Sequence, residues 1–202
     1  KRMKIRMIYL AGGNSRRFGT NKLLELLDGK PMYRHLLDRL IRICGRHDRW
    51  ELVIVTQYHE VAEELKEEPV RVRFCSESRM GASFSLKAGL ENLTDEEACV
   101  FFVADQPFFR EETAEGFLME MEEKQARLGC VAFREQMGNP VWFGREYFEE
   151  LRQLTGDQGG RKVFRRYPEA VCFYRVQDAV ELKDIDYLTE MPGKVAMKEE
   201  SK

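Results

Sequence analysis

The chain has 202 residues, 43% of them hydrophobic, and a formal net charge of −2. Near-neutral charge argues against a nucleic-acid partner or an adsorbed membrane surface, and no apolar run approaches the length of a membrane span. A compact chain of this size buries about 70% of its unfolded surface, so it needs no disulfide or metal staple.

The opening "KRMKIRMIYL" carries basic residues before an apolar stretch. That stretch is too short and too interrupted for a secretory signal, and no small-residue cleavage site follows. It predicts a strand over 5–12. Further β-rich runs fall at 51–56, 70–74, 98–105, 130–135, 140–144 and 170–176. Helical periodicity appears between them. In 31–44, Met32, Leu36 and Leu40 repeat at four-residue spacing, and Pro31 fits the first helical position after the turn "DGK". Other helices are predicted near 59–67, 83–92, 111–127, 145–154 and 159–167. Strands alternating with helices predict an α/β layer fold with a largely parallel sheet. No repeat or linker divides the chain, so the expectation is one domain over 1–192 and a charged, frayed tail over 193–202.

Ligands of open α/β sheets bind beyond the carboxyl ends of the strands, so the residues just after each strand matter most. The first strand runs into "LAGGNSRRFGTNK", Leu10 to Lys22. Its glycines, Gly12, Gly13 and Gly19, miss both the dinucleotide fingerprint and the P-loop spacing. The ingredients of an anion site remain: backbone that can approach a ligand closely, and the cations Arg16, Arg17 and Lys22. A solvated surface turn is the alternative. "FFVADQPFF" places Asp105 at the end of an apolar strand. Mg²⁺, which takes one or two carboxylates plus substrate phosphates, would be a fitting partner there; an Asp capping the next turn is the alternative. In "RMGASFSLKAGL", Gly81, Ala82 and Ser83 enter a helix, with Ser83 as N-cap or as a contact to a base or ribose. Cys44, Cys75, Cys99, Cys130 and Cys172 are odd in number and far apart, the pattern of reduced thiols in a cytoplasmic protein. Three unpaired histidines argue against zinc.

Together these stretches resemble a known family. "LAGGNSRRFGTNK" is similar to the L-A-A/G-G-x-S-x-R-x-G-x-x-K signature of nucleotidyltransferases acting on molybdenum cofactor and sugar phosphates. The nearest group is the molybdenum cofactor cytidylyltransferases, a family that also contains the guanylyltransferases. "GASFSLKAGL", "ADQP", "GNPVWFG", "LTGDQGGRKVF" and "KDIDYL" resemble that group's base-contacting loop, second motif and later segments in order, and with the first motif the resemblance runs from Leu10 to about Leu188.

The resemblance implies a three-layer α/β/α Rossmann-like nucleotidyltransferase fold with a mostly parallel mixed sheet. It implies transfer of CMP, or less favourably GMP, from CTP or GTP to the terminal phosphate of molybdopterin or molybdenum cofactor, with release of pyrophosphate. Arg16, Lys22 and Asp105 would serve catalysis. Leu10, Ala11, Gly12, Gly13, Ser15, Lys22, Gly81, Ala82 and Ser83 would bind the nucleotide, and Gln106, Asn139, Asp157 and Arg161 the acceptor. Mg²⁺ would be held by Asp105 with Asp184 or Asp186, Asp184 being favoured. Asp157 could equally be the N-cap of the helix at 159–167. A molybdoenzyme could receive the product.

Three departures bear on the substrates. "LAGG" replaces the "LAAG" usual in cytidylyl-transferring members and is the form more usual in guanylyl-transferring relatives, yet those carry a second motif other than "DQP". Asn139 stands where the family's G-H-P-V segment has a histidine, and "DIDYLTE" lacks the usual T-P-E-D. The alternatives are a domain that binds or delivers molybdenum cofactor without catalysis, and nucleotidyl transfer to a sugar or polyol phosphate.

Overall fold

The computed structural model describes residues 2–13 and 21–186. The expectations at Ser15, Arg16, Arg17 and Gly19, at Tyr187 and Leu188, and for the 193–202 tail lie outside the described residues. In chain order the elements are β1 (Ile5–Ala11), a short hairpin of β2 (Leu26–Leu27) and β3 (Lys30–Pro31), α1 (Met32–Arg46), β4 (Trp50–Thr56), α2 (His59–Glu64) and β5 (Arg71–Phe74). Then come α3 (Ala82–Gly89), β6 (Ala98–Val103), α4 (Glu111–Glu123), β7 (Leu128–Phe133), β8 (Gln136–Gly144), α5 (Phe148–Arg152), α6 (Arg161–Arg166) and β9 (Val171–Arg175).

Seven strands form one mixed sheet in the order β5-β4-β1-β6-β8-β7-β9. β8 alone among them runs against its neighbours; the other pairings are parallel. β1 reads "IRMIYLA" and is buried nearly throughout, as a parallel strand covered on both faces must be. α1 buries Met32, Tyr33, Leu36, Leu37, Leu40 and Ile43, the stripe that its periodicity predicts. Side chains of α1, α2 and α4, among them Leu36, Val61 and Phe117, pack on one face of the sheet. Those of α3, α5 and α6, among them Leu86, Leu151 and Phe164, pack on the other. The result is a three-layer α/β/α fold.

Several boundaries shift for local reasons. Pro31 is the N-cap of α1 rather than its first residue, because it still pairs with Leu26 in the small hairpin. That hairpin turns on Asp28 (φ 51°) and Gly29 (φ 76°), the two left-handed residues a two-residue turn demands. β8 starts at Gln136 rather than at 140, since it forms a tight hairpin with β7 around Arg134 at φ 53°. The helix expected over 145–154 divides into a 3₁₀ turn, Arg145–Tyr147, and α5.

From β1 the chain moves outward through β4 to β5, then crosses back to β6 on the other side of β1. The winding direction reverses between β1 and β6. Loops leaving the carboxyl ends of these two strands therefore diverge and leave a crevice, the usual place for a ligand in such sheets.

Candidate active site

A cavity of about 340 Å³ occupies this crevice. Leu10, Gly12 and Gly13 line it from the end of β1, and Val103, Ala104 and Asp105 from the end of β6. Lys22, Ser78, Gly81, Ala82, Ser85 and Asp157 complete its wall. β6 stops at Val103, so Asp105 stands just past the strand in a turn.

Lys22 Nζ donates to Asp105 Oδ2 at 2.9 Å and to Asp186 Oδ1 at 3.3 Å. Burial works to lower the pKa of its ammonium, but the two carboxylates, Asp105 foremost, outweigh that and hold it above the ordinary value. The chain returns to this point from the far end of the sequence. Ile185 N–H donates to the Asp105 carbonyl at 2.9 Å, while its side chain is buried with Leu27 and Met32. The Gln106 amide, itself buried, donates to Asp184 Oδ1 at 2.8 Å and to the Leu182 carbonyl at 3.2 Å. Asp184 is exposed as a residue, but its carboxyl is packed against Gln106. Partial burial of that group, then the negative charge of Asp105, push it up to about 6.

A second cavity of about 320 Å³ adjoins, lined by Gln106, Met137, Asn139, Arg161, Leu182 and Asp184 among others. Three of the four residues expected on the acceptor side thus share one cavity. Arg161 is steadied by a bond from its guanidinium to the Met137 carbonyl at 3.1 Å.

Asp157, the fourth, stands apart from these three and is a correction as an N-cap. It lines the first cavity, not the second, and the N-cap of α6 is Gly160. Its position follows from a latch. Gly81 sits at φ 154°, where a Cβ would meet the Gly156 carbonyl oxygen at 2.3 Å. Ser83 donates to that same oxygen twice, from its N–H at 3.1 Å and its hydroxyl at 2.7 Å. As an N-cap Ser83 is corrected as well: the N-cap of α3 is Gly81, and the hydroxyl of the fully buried Ser83 donates to the latch. Among the described residues, the hydroxyls lining the cavity belong to Ser78 and Ser85, joined at 2.7 Å. Neither was singled out from sequence; Ser85 lies in the quoted "GASFSLKAGL" stretch, two residues past Ser83 and so turned to another side of the helix.

Among the described residues the metal-binding groups near Asp105 are the carboxylates of Asp184 and Asp186, which suit a hard cation. Among the described residues no three metal-binding side chains converge to hold an ion unaided. Magnesium does not require that, since it takes one or two carboxylates together with substrate phosphates. The crowding of Asp105 and Asp184 is what such a cation would relieve.

Over 57 residues, 28% of this chain and 28% of the relative's length, the sequence is 47% identical to a probable molybdenum cofactor guanylyltransferase of Pyrococcus horikoshii. Over 189 residues it is 24% identical to the purine catabolism protein PucB of Bacillus subtilis, covering 89% of this chain and 90% of that protein. The crystal structure of Rv0371c from Mycobacterium tuberculosis shares the fold, with a TM-score of 0.77 at 23% identity over 92% of this chain and 94% of that one. So does that protein's complex with manganese, with a TM-score of 0.69 at 22% identity over 87% and 89%. Residues 7–171 match the MobA-like NTP transferase domain. That span holds both strand ends of the crevice, Lys22 and Asp105, and the chain belongs to the MobA-like NTP transferase family.

Proposed function

We propose that the protein transfers a nucleoside monophosphate, CMP in preference to GMP, from its triphosphate to the terminal phosphate of molybdopterin or molybdenum cofactor. An oxygen of the acceptor phosphate attacks the α-phosphorus, the bond to the bridging oxygen breaks, and pyrophosphate leaves. The observation that carries the reading is a pair of cavities lined by consecutive residues, Asp105 in the one beside the glycine-rich loop and Lys22, and Gln106 in the one beside Arg161 and Asn139. Such a reaction needs no nucleophile from the protein. It needs two phosphates held in line and their charge offset.

Each part of the site has a task in that scheme. Lys22 meets the triphosphate and stabilises the departing pyrophosphate, its carboxylate partners giving way to phosphate oxygens. Arg161 offers the acceptor phosphate a planar pair of donors. Asp105 and Asp184 would hold Mg²⁺, with Asp186 beside them; when bound, the ion neutralises charge developing on the α-phosphate. Gln106 reads here as the group that orients Asp184 rather than as a direct acceptor contact. A manganese complex of a protein with the same fold supports a divalent-metal site.

Molybdopterin as acceptor is supported by the name of the Pyrococcus horikoshii relative. That name also favours a second reading, GMP transfer, in line with "LAGG"; "DQP" favours CMP. Competition between CTP and GTP for transfer to molybdopterin separates the two. The proposal expects the larger kcat/KM for CTP, because groups left unpaired by the wrong base are costly. A preference for GTP would move the protein to the guanylyl group.

A further inference from the structure

Three consecutive side chains at the end of β4 hold three consecutive carbonyls of the glycine-rich loop. The Thr56 hydroxyl donates to the Ala11 carbonyl at 2.8 Å. The Gln57 side-chain amide donates to the Gly12 carbonyl, and the Tyr58 hydroxyl to the Gly13 carbonyl. The first and third are tied to each other, since the Tyr58 N–H donates to Thr56 Oγ1 at 3.1 Å, and Thr56 is fully buried.

The arrangement breaks the alternation of a strand. Along β1, the Leu10 carbonyl faces β6 and accepts from the Ala104 N–H at 3.1 Å, and the Ala11 carbonyl faces β4. Regular extension would turn the next carbonyl, that of Gly12, back toward β6 and into the crevice. The Gln57 amide holds it on the β4 side instead. In a trans peptide the carbonyl and the following N–H point in opposite directions. Fixing the carbonyls of Ala11 and Gly12 toward β4 therefore aims the N–H groups of Gly12 and Gly13 away from β4, toward the cavity that both glycines line. Carbonyl oxygens at that wall would repel phosphate oxygens. Successive N–H groups attract them. A glycine has no side chain to hold its own peptide, so the restraint has to come from a neighbouring strand.

We propose that Thr56, Gln57 and Tyr58 are positioning residues that preset the loop's N–H groups for the phosphates of a nucleoside triphosphate. The inference rests on the nucleotidyl-transfer reading above. Presetting removes the cost of turning peptides round at the moment of binding, so its loss appears in nucleotide affinity and leaves the acceptor alone.

The test compares wild type with Gln57→Leu, Tyr58→Phe and the double variant. Affinity for CTP and GTP is measured by calorimetry with Mg²⁺ and no acceptor, alongside thermal midpoints and the KM for molybdopterin. Each single change is expected to weaken nucleotide binding about three- to tenfold, the range of one hydrogen bond. The double change should weaken it further, with the thermal midpoint and acceptor KM close to wild type. Thr56→Ser, which keeps the hydroxyl, should bind as wild type does. If wild type binds nucleotide and the double variant binds it equally well, the positioning role is overturned while the nucleotidyl-transfer reading stands. If wild type binds neither nucleotide, that reading fails and the positioning role with it. Should the double variant not fold, Tyr58→Phe carries the test, since it removes one oxygen from a half-buried residue.

Discussion

Lys22 lies between two carboxylates, at 2.9 Å from Asp105 and 3.3 Å from Asp186, with its side chain only 13% exposed. A solvated surface lysine would have neither the partners nor the burial. Lys22→Ala is expected to lower kcat/KM for the nucleotide roughly tenfold to a hundredfold, the worth of one or two charge-assisted bonds. A fall in kcat as well as a rise in KM would place the contact on the departing pyrophosphate. Rates unchanged in this variant would return Lys22 to a purely structural ion pair. The thiols give a separate check of the packing. Burial pushes the Cys130 thiol up to about 11 and the Cys99 thiol further. Both therefore remain protonated at pH 8 and shielded from reagent. Thiol titration of the native protein should modify Cys44 and Cys172 first, since Cys75, Cys99 and Cys130 are buried, and reach all five only in denaturant. Rapid reaction of all five in the native state would contradict the packing. That Lys22 and Asp105 come to one crevice was legible, because Asp105 ends an apolar run and Lys22 closes the glycine-rich stretch after the first strand. The place of Asp157 was not, because it depends on a contact between Ser83 and Gly156, 73 residues apart. No local pattern encodes that.

Among the elements, the segment from Leu182 to Asp186 does most to assemble the site, and it has no regular secondary structure past Leu182. It is docked on the end of β6 by the Ile185 N–H, by the two bonds from Gln106 and by the buried Ile185 side chain. Two candidate metal ligands flank that one apolar residue, so its burial sets where both carboxylates sit. Ile185→Ala should leave a gap beside Leu27 and Met32 and loosen the segment. Faster tryptic cleavage after Lys183 and reduced turnover are the expected readouts, with the rest of the fold intact. Unchanged cleavage and turnover would show that the segment is held by its hydrogen bonds alone. The longer strands and helices were legible from period, since α1 and β1 each bury a large apolar set. The hairpin at Leu26–Pro31 was not: two-residue strands carry no period, and "DGK" announced only its turn.

At the scale of the molecule, a strand order that reverses beside β1 places a glycine-rich loop and a carboxylate at one crevice. The opposite end of β1 serves stability. Arg6 is 1% exposed there, and its guanidinium bonds Glu51, Glu96 and the carbonyls of Gly89, Glu91 and Asn92. A buried arginine with every partner supplied closes the end of the sheet away from the crevice. The α/β class and the strand–helix alternation followed from the sequence pattern, and the antiparallel course of β8 did not. Strand direction depends on connection length and on the partner found across the sheet, neither of which a run such as "PVWFG" displays. The most direct test of the whole account is pyrophosphate release by the purified protein, with Mg²⁺ and molybdopterin, for each of the four nucleoside triphosphates in turn. The account predicts acceptor-dependent release, greatest with CTP and lowered about a hundredfold or more in Asp105→Asn, whose thermal midpoint stays near wild type. Release with none of the four, or release indifferent to the acceptor and to Asp105, would contradict it.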